Sequence, residues 1–393
     1  MSLPISSPFH LPASAGAPDP ENVQRAIQQA IELGWSYETI AQNDPFQRCA
    51  QALLREFEQE QTMFSPSTQK RLKQAWGRYV SWCEQMMKHA LPSSPSQIRE
   101  YLQFRSTCCH RNTLSVELWA IGTTLMAAGC PNTTLDLRVK NSFRGIIKHK
   151  VRVEDEYIRQ ATPFRDADLD RLIALYGSSP SASTLRDLAV LYVAYETMMR
   201  VSELVRIRLE HFKVKPDGSA SLRIPFTKTN QSGDGQDWTH LSAQCMSFVQ
   251  AYLMVTGISF AEGGYLFRAI HRSGKVIAPK VNEQDNSASH QPLSTRALDR
   301  IFLKAWLDLH PHVDPSLPLS IIKSTHRPFT GHSARVGAAQ DLLEQGYDSL
   351  QVRQAGRWRS DTMVLRYGQH ITIENSAMAR SRKAKKANVQ AEH

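Results

Sequence analysis

The apolar residues of this chain recur at helical intervals almost throughout and give way to strand-like segments in one main place, which leaves few folds open to it. Val23, Ile27 and Ile31, then Ala50, Leu53, Leu54 and Phe57, then Leu72, Trp76, Tyr79, Val80 and Cys83 each line one side of a helix. Asn43-Asp44-Pro45 separates the first two groups, so two short helices are expected there. The exception is a strand pair, Ser221 to Phe226 with a return near Trp238 to Leu241, and Gly233 and Gly235 between them at a hairpin tip. A chain patterned this way folds as a mainly α protein with a small antiparallel sheet. At 393 residues it is long enough for two or three domains.

The punctuation divides it further. Pro4, Pro8, Pro12, Pro18 and Pro20 make the start a flexible lead, so residues 1–62 are expected as an N-terminal extension of lead and short helices. Ser65-Pro66-Ser67 opens a strong helix that carries Lys70, Arg71, Lys73 and Arg78 around its apolar face. Helices over Ser96 to Phe104, Arg111 to Ala128 and Leu135 to Val151 follow, the last carrying Arg138, Lys140, Arg144, Lys148 and Lys150. Residues 63–152 are therefore expected as an all-helical domain and the charged, weakly periodic residues 153–163 as a linker. A second domain over 164–380 opens with helices at Asp166 to Tyr176, Thr184 to Met199 and Ser202 to Leu209, and holds a polar insert, Pro279 to Pro292. Residues 381–393 are a basic tail.

Composition excludes several classes. With 41% hydrophobic and 21% charged residues the chain lies far from the disordered regime, and 47 Lys plus Arg against 37 Asp plus Glu, a net +10, favour a polyanionic partner. Six scattered cysteines with no Cys-x-x-Cys pair suggest reduced thiols and a cytoplasmic setting. No secretory leader is expected, and the apolar run Leu188 to Tyr195 is far below membrane-spanning length. His-Glu-x-x-His, zinc-ligand spacings and Gly-x-x-x-x-Gly-Lys are missing, so neither metal, nucleotide nor other cofactor is expected.

Chemistry concentrates in Thr330-Gly-His-Ser-Ala-Arg-Val-Gly-Ala-Ala. His332 and Arg335, three apart, share a helix face at a helix start, where an anion is favoured, while Val336, Ala339 and Leu343 pack behind. Alone, this pattern is an ordinary capped helix with two surface polar residues. It has company: Arg200 at a break between helices with Glu203 placed to orient a cation, Lys228 beyond a strand on the hairpin, Trp358 after Ala355-Gly356, and Tyr367 in a helix over Asp361 to Gly368. Each also has a plain reading as surface arginine, hairpin lysine, core tryptophan or half-buried tyrosine.

Taken together, Arg200-x-x-Glu203, Thr-Lys-Thr around Lys228, Leu293-Ser-Thr-Arg-Ala-Leu298, Gly331-His-Ser-Ala-Arg-Val-Gly-Ala-Ala339, Gln354-Ala-Gly-Arg-Trp358 and Arg366-Tyr367 resemble the tyrosine recombinase (phage integrase) family, on its Cre-type branch. The resemblance spans residues 63–380. It implies a C-shaped DNA clamp made of a helical core-binding domain and a mostly helical catalytic domain. It also implies a site-specific recombinase that exchanges strands between two inverted-repeat sites as a homotetramer, through a 3′-phosphotyrosyl intermediate and a Holliday junction. Under it Arg200, Glu203, Lys228, His332, Arg335, Trp358 and Tyr367 form the catalytic set, with Tyr367 the nucleophile, and Ile371 to Met378 docks on a neighbouring protomer. Arg296, with Thr295 and Asp299 on a helix whose Leu298, Ile301 and Phe302 point inward, is the expected base reader. Arg272 and Lys275 are expected along the minor groove, and Lys70, Arg71, Lys73, Arg144 and Lys148 on phosphates. The alternatives are a type IB topoisomerase and a catalytically silent DNA-binding regulator. The insert near Asn282 to His290 departs from the family pattern.

Overall fold

The computed structural model describes residues 18–60, 63–154, 156, 159–177, 181–225, 237–281, 288–369, 371, 378 and 382. The chain divides into two units, residues 1–158 and 159–393.

The first unit is all helical among its described residues: α1 (Pro20–Glu32), α2 (Tyr37–Ala41), α3 (Asp44–Gln59), α4 (Pro66–Gln85), α5 (Pro95–Ser106), α6 (Arg111–Ala127) and α7 (Leu137–Arg152). Four of these start the same way. Asp19, Asn43, Ser65 and Ser94 accept a first-turn backbone N–H through the side chain, with proline just inside the helix, where its missing N–H costs nothing. Asn43-Asp44-Pro45, the expected interruption, is thus the start of α3. The helices before residue 60, expected as an extension, bury Val23, Ile27, Phe46 and Leu53 in one core with Tyr79, Ile98, Leu114, Ile121 and Val139. An amphipathic helix must bury its stripe somewhere, and this core receives it. Arg78 is not a spare basic group on the α4 face. Its Nε donates to Glu117 (2.7 Å), a carboxylate that is 0% exposed on α6 and also accepts from Arg105 and the Tyr101 hydroxyl. Burial opposes its charge, yet these hydrogen bonds hold Glu117 below the usual carboxylate range. Lys150 is likewise buried and paired with Glu154 and Glu156.

The second unit holds α8 (Asp166–Tyr176), α9 (Ala182–Thr197), α10 (Val201–Leu204), β1 (Phe212–Val214), β2 (Ala220–Ile224), β3 (Asp237–Leu241), α11 (Ala243–Thr256), β4 (Lys280–Val281), β5 (Ala288–Ser289), α12 (Thr295–Leu309), α13 (Leu319–Thr325), α14 (Ser333–Glu344), α15 (Ser349–Gly356) and α16 (Thr362–Tyr367). β1, β2 and β3 form an antiparallel sheet in that order, with Leu222 opposite both Phe212 and Thr239. The expected strand pair is β2 and β3; β1, three residues long, carried no sequence signal. Gly233 and Gly235, the expected hairpin tip, lie outside the described residues. The expected helix over Ser202 to Leu209 is a single turn, α10, followed by a 3-10 turn at Leu209–His211. α9 is buried on nearly every side and forms the middle of the main core with Tyr252, Phe267, Leu298 and Phe302. A second, smaller core of Met198, Val336, Ala339, Val352, Trp358, Val364 and Tyr367 joins the end of α9 to α14, α15 and α16. The fold is mainly α with a small antiparallel sheet, and among the described residues no helix is long and apolar enough to cross a membrane.

Candidate active site

The smaller core is where the candidate residues meet. α9 ends on Met198 in the left-handed conformation (φ 49°), and this turn leaves Arg200 as the N-cap of α10. Three residues on, the buried Glu203 accepts the Arg200 backbone N–H at 3.1 Å and its Nη1 at 2.9 Å. One carboxylate therefore both caps the helix and holds the guanidinium.

α14 begins at Ser333 with His332 as its N-cap, and Ser333 Oγ accepts the Thr330 N–H at 2.8 Å to close the turn. Here the structure departs from the surface pair suggested by sequence. His332 is exposed, whereas Arg335 is 1% exposed. Every residue from Ser333 to Gln340 is buried, so Arg335 enters the protein, where Nη1 donates to the Met198 carbonyl and Nη2 to the Gly356 carbonyl. A buried charge needs such partners. The guanidinium also lies over the Trp358 ring, 4.5 Å from its centroid. Close approach at Gly337 makes this burial possible: a Cβ there would lie 1.8 Å from the Phe164 carbonyl oxygen.

Trp358 is 8% exposed, and its Nε1 is buried with no hydrogen-bond partner among the described residues. Tyr367, 4% exposed, meets it edge to face with ring centroids 5.6 Å apart. Its hydroxyl makes no hydrogen bond among the described residues, while its carbonyl accepts Gln340 Nε2 at 3.0 Å.

The electrostatics share one sign. Burial, then the positive neighbours Arg200 and Arg357, push Arg335 down to about 9, so it stays protonated at neutral pH. Packing around the His332 ring, then Arg335 and Arg200, lower its pKa, against the opposing pull of Asp299 and Glu203. Burial raises Tyr367, opposed by Arg335, Arg366 and Arg200. The cluster thus combines crowded positive charge, an unpaired indole N–H, a neutral imidazole and a protonated phenol. Its carboxylate, Glu203, is engaged by Arg200, and the donors that remain match a phosphodiester whose non-bridging oxygens accept from guanidinium forks.

Lys228 lies outside the described residues, as does the segment after Ile371 apart from Met378 and Arg382. Thr295 and Arg296 are exposed in the first turn of α12, capped by Ser294, and Leu298, Ile301 and Phe302 are buried behind them. Asp299 is exposed as well, and its Oδ1 accepts the Gly331 N–H at 3.0 Å in the turn before His332. Arg272 and Lys275 are exposed on a turn closed by the His271 N–H to the Lys275 carbonyl (2.8 Å). In the first unit Lys70, Arg71 and Lys73 on α4 and Arg144 and Lys148 on α7 are exposed. Sequence reasoning gave no role to Arg357, whose Nη2 is 3.8 Å from Glu203, or to Gln340; the only available signal was their position beside motif residues. Among the described residues no group of three His, Cys, Asp or Glu side chains is arranged to hold a metal ion.

Comparison with known proteins agrees with this geometry. The profile of the phage integrase family matches residues 164–372, more than half of the chain. The chain is 29% identical to recombinase Cre of Escherichia phage P1 over 318 residues, 81% of this chain and 88% of Cre. It is 26% identical to an integrase/recombinase XerD homolog of Selenomonas ruminantium over 299 residues, 74% of this chain and 78% of that protein. Among solved structures, the Tn1549 transposon integrase in complex with a circular intermediate DNA has the same fold at 12% identity, with a TM-score of 0.51 over 81% of this chain and 94% of that one. The chain belongs to the phage integrase family and is a Cre-type tyrosine recombinase, an enzyme of site-specific DNA recombination by strand cleavage and rejoining.

Proposed function

We propose that Tyr367 is the nucleophile and that Arg200, Arg335, His332 and Trp358 surround the phosphate it attacks. A phenol of ordinary pKa ~10 is a weak nucleophile, and burial makes this one harder still to ionise. The site must therefore take its proton and stabilise charge on phosphorus. Arg200, aligned by Glu203, and Arg335 donate to the non-bridging oxygens, and the Trp358 indole N–H adds a donor. His332, kept neutral by the packing around its ring and then by its cationic neighbours, accepts the phenolic proton. As the Tyr367 oxygen bonds to phosphorus, the bond to the 5′ oxygen breaks; Lys228 protonates that oxygen, leaving a 3′-phosphotyrosyl protein and a free 5′-hydroxyl. One phosphodiester is exchanged for another, so attack by the 5′-hydroxyl of a second duplex completes a strand exchange without nucleotide, metal or other cofactor.

On this reading the substrate is double-stranded DNA with an inverted-repeat site, bound by two domains, residues 63–152 and 164–380, joined by the linker 153–163. Lys70, Arg71, Lys73, Arg144 and Lys148 meet phosphates, Arg272 and Lys275 track the minor groove, and Arg296 and Thr295 read base edges. A homotetramer on two sites passes through a Holliday junction, with Ile371 to Met378 docked on a neighbour. A cytoplasmic setting fits action on DNA.

The observation that carries the proposal is the convergence of Arg335, Trp358 and Tyr367 in one small core of a single chain, within reach of the Arg200 charge, with the His332 imidazole subject to the same two arginines. Incubation of Tyr367→Phe with nicked duplex DNA bearing a target site selected from a random DNA pool by the unsubstituted protein, followed by denaturing electrophoresis, is the test. Binding is retained and the covalent adduct is lost. An adduct persisting in this variant overturns the assignment. Product analysis on paired target sites separates recombination from simple relaxation.

A further inference from the structure

The last carbonyls of a helix have no partner inside it. α16 is only six residues long and carries Tyr367 at its final position, so fraying there displaces the phenol directly. Both terminal carbonyls are nevertheless occupied, each by a side-chain amide from a remote part of the second unit. The Tyr367 carbonyl accepts Gln340 Nε2 at 3.0 Å, and the Arg366 carbonyl accepts Gln160 Nε2.

Neither glutamine is loose. Gln340 is 4% exposed, and its Oε1 accepts Arg165 Nη2 at 3.1 Å, while the same guanidinium bridges Asp341 and Glu344. With its oxygen taken, the amide has one orientation, which points the NH2 at Tyr367. The backbone of Gln160 is tied as well: its carbonyl accepts Arg327 Nη2 at 2.6 Å, and two residues on Thr162 Oγ1 donates to the Arg327 carbonyl at 2.6 Å. Phe164 N–H then donates to the Ser333 carbonyl at 3.0 Å. The strand of chain entering the second unit is thus stitched to the turn before His332, to α14 and to the end of α16. Gln340 stands on the same helix as Arg335, so one rigid element holds both the candidate phosphate clamp and the helix of the attacking group.

We propose that Gln340 and Gln160 are positioning residues for Tyr367: their amides pin the end of α16 so that the phenol is presented to a phosphate held by Arg335. The proposal rests on the reading of Tyr367 as nucleophile, and Gln160 brings the segment just after the boundary between the units into the machinery that aims it. Neither glutamine touches the phosphate. They act on the attacking group alone, and this separates them from the arginines.

Gln340→Glu and Gln160→Glu keep side-chain shape and remove the donor. In Gln340→Glu the carboxylate still pairs with Arg165, which preserves the fold. Single-turnover formation of the Tyr367 adduct on nicked duplex DNA is expected to fall about ten- to hundred-fold in Gln340→Glu, the range for loss of one buried hydrogen bond, and less in the half-buried Gln160→Glu. DNA affinity is unchanged. The same substitutions in a Tyr367→Phe background, with hydrogen peroxide supplied as external nucleophile, should leave peroxide-driven strand cleavage at the level of Tyr367→Phe alone, because the phosphate-activating groups are intact. Equal loss of tyrosine-driven and peroxide-driven cleavage assigns the glutamines to general structure and overturns the proposal, as does an adduct rate within two-fold of the unsubstituted protein. Failure of the nucleophile assignment itself is read separately, as an adduct that forms without Tyr367.

Discussion

Trp358 is the residue at which stability and activity should part. Its indole N–H is buried without a partner among the described residues, and an unpaired buried donor costs about 1–3 kcal/mol of folding free energy. Replacing it with phenylalanine removes that donor and keeps an aromatic face beneath Arg335 and beside Tyr367. The smaller ring loses packing. Complete truncation of a buried aromatic costs about 3–5 kcal/mol, and the part lost between the two rings is about 1–2 kcal/mol. The two contributions oppose, so Trp358→Phe should unfold within about 1 kcal/mol of the original protein. Catalysis has no such offset. If the N–H donates to a phosphate oxygen in the transition state, losing it should slow cleavage about 10²–10³-fold, the cost of deleting one donor of this kind. Urea unfolding followed by circular dichroism gives the first quantity, and single-turnover cleavage of nicked duplex DNA the second. Cleavage within about three-fold of the original protein would refute the donor role. A stability loss above about 3 kcal/mol would refute the claim that the N–H has no partner among the described residues.

Two further outcomes follow from the same geometry. In Gly337→Ala the new methyl would sit 1.8 Å from the Phe164 carbonyl oxygen, in a backbone segment already fixed by the Phe164 to Ser333 hydrogen bond, so thermal unfolding should show a loss of about 4 kcal/mol or more; a loss under 1 kcal/mol would contradict the close approach. Packing around its ring, then Arg335 and Arg200, hold His332 below its ordinary pKa, so its base form persists as pH falls past about 6.5. The acid limb of the cleavage pH profile should lie below that value and move lower still in Asp299→Asn, which removes a charge that favours the imidazolium; a limb above it excludes His332 as the acceptor.

Much of this protein is legible without a structure because the relevant signals are local. Helical spacing and cap-plus-proline starts depend on neighbours within a turn, and α8 spans the expected Asp166 to Tyr176. His332, Arg335, Trp358 and Tyr367 stand out because the family motifs that carry them are short and contiguous. What sequence could not reveal is what those side chains touch. That Arg335 is buried depends on carbonyls of Met198 and Gly356, and a backbone carbonyl leaves no mark in an amino-acid string. That Arg78 ties α4 to a buried glutamate 39 positions away, and that Asp299 accepts the Gly331 N–H, are likewise settled by packing between distant segments. α10 stops after one turn and β1 exists at all because tertiary neighbours outweigh weak local preference. The residues able to do the chemistry and most of the helical segments are written locally in the chain. Which of those residues share an environment is set by the fold, because charge, burial and hydrogen bonding act through space, across separations along the chain that no periodicity encodes.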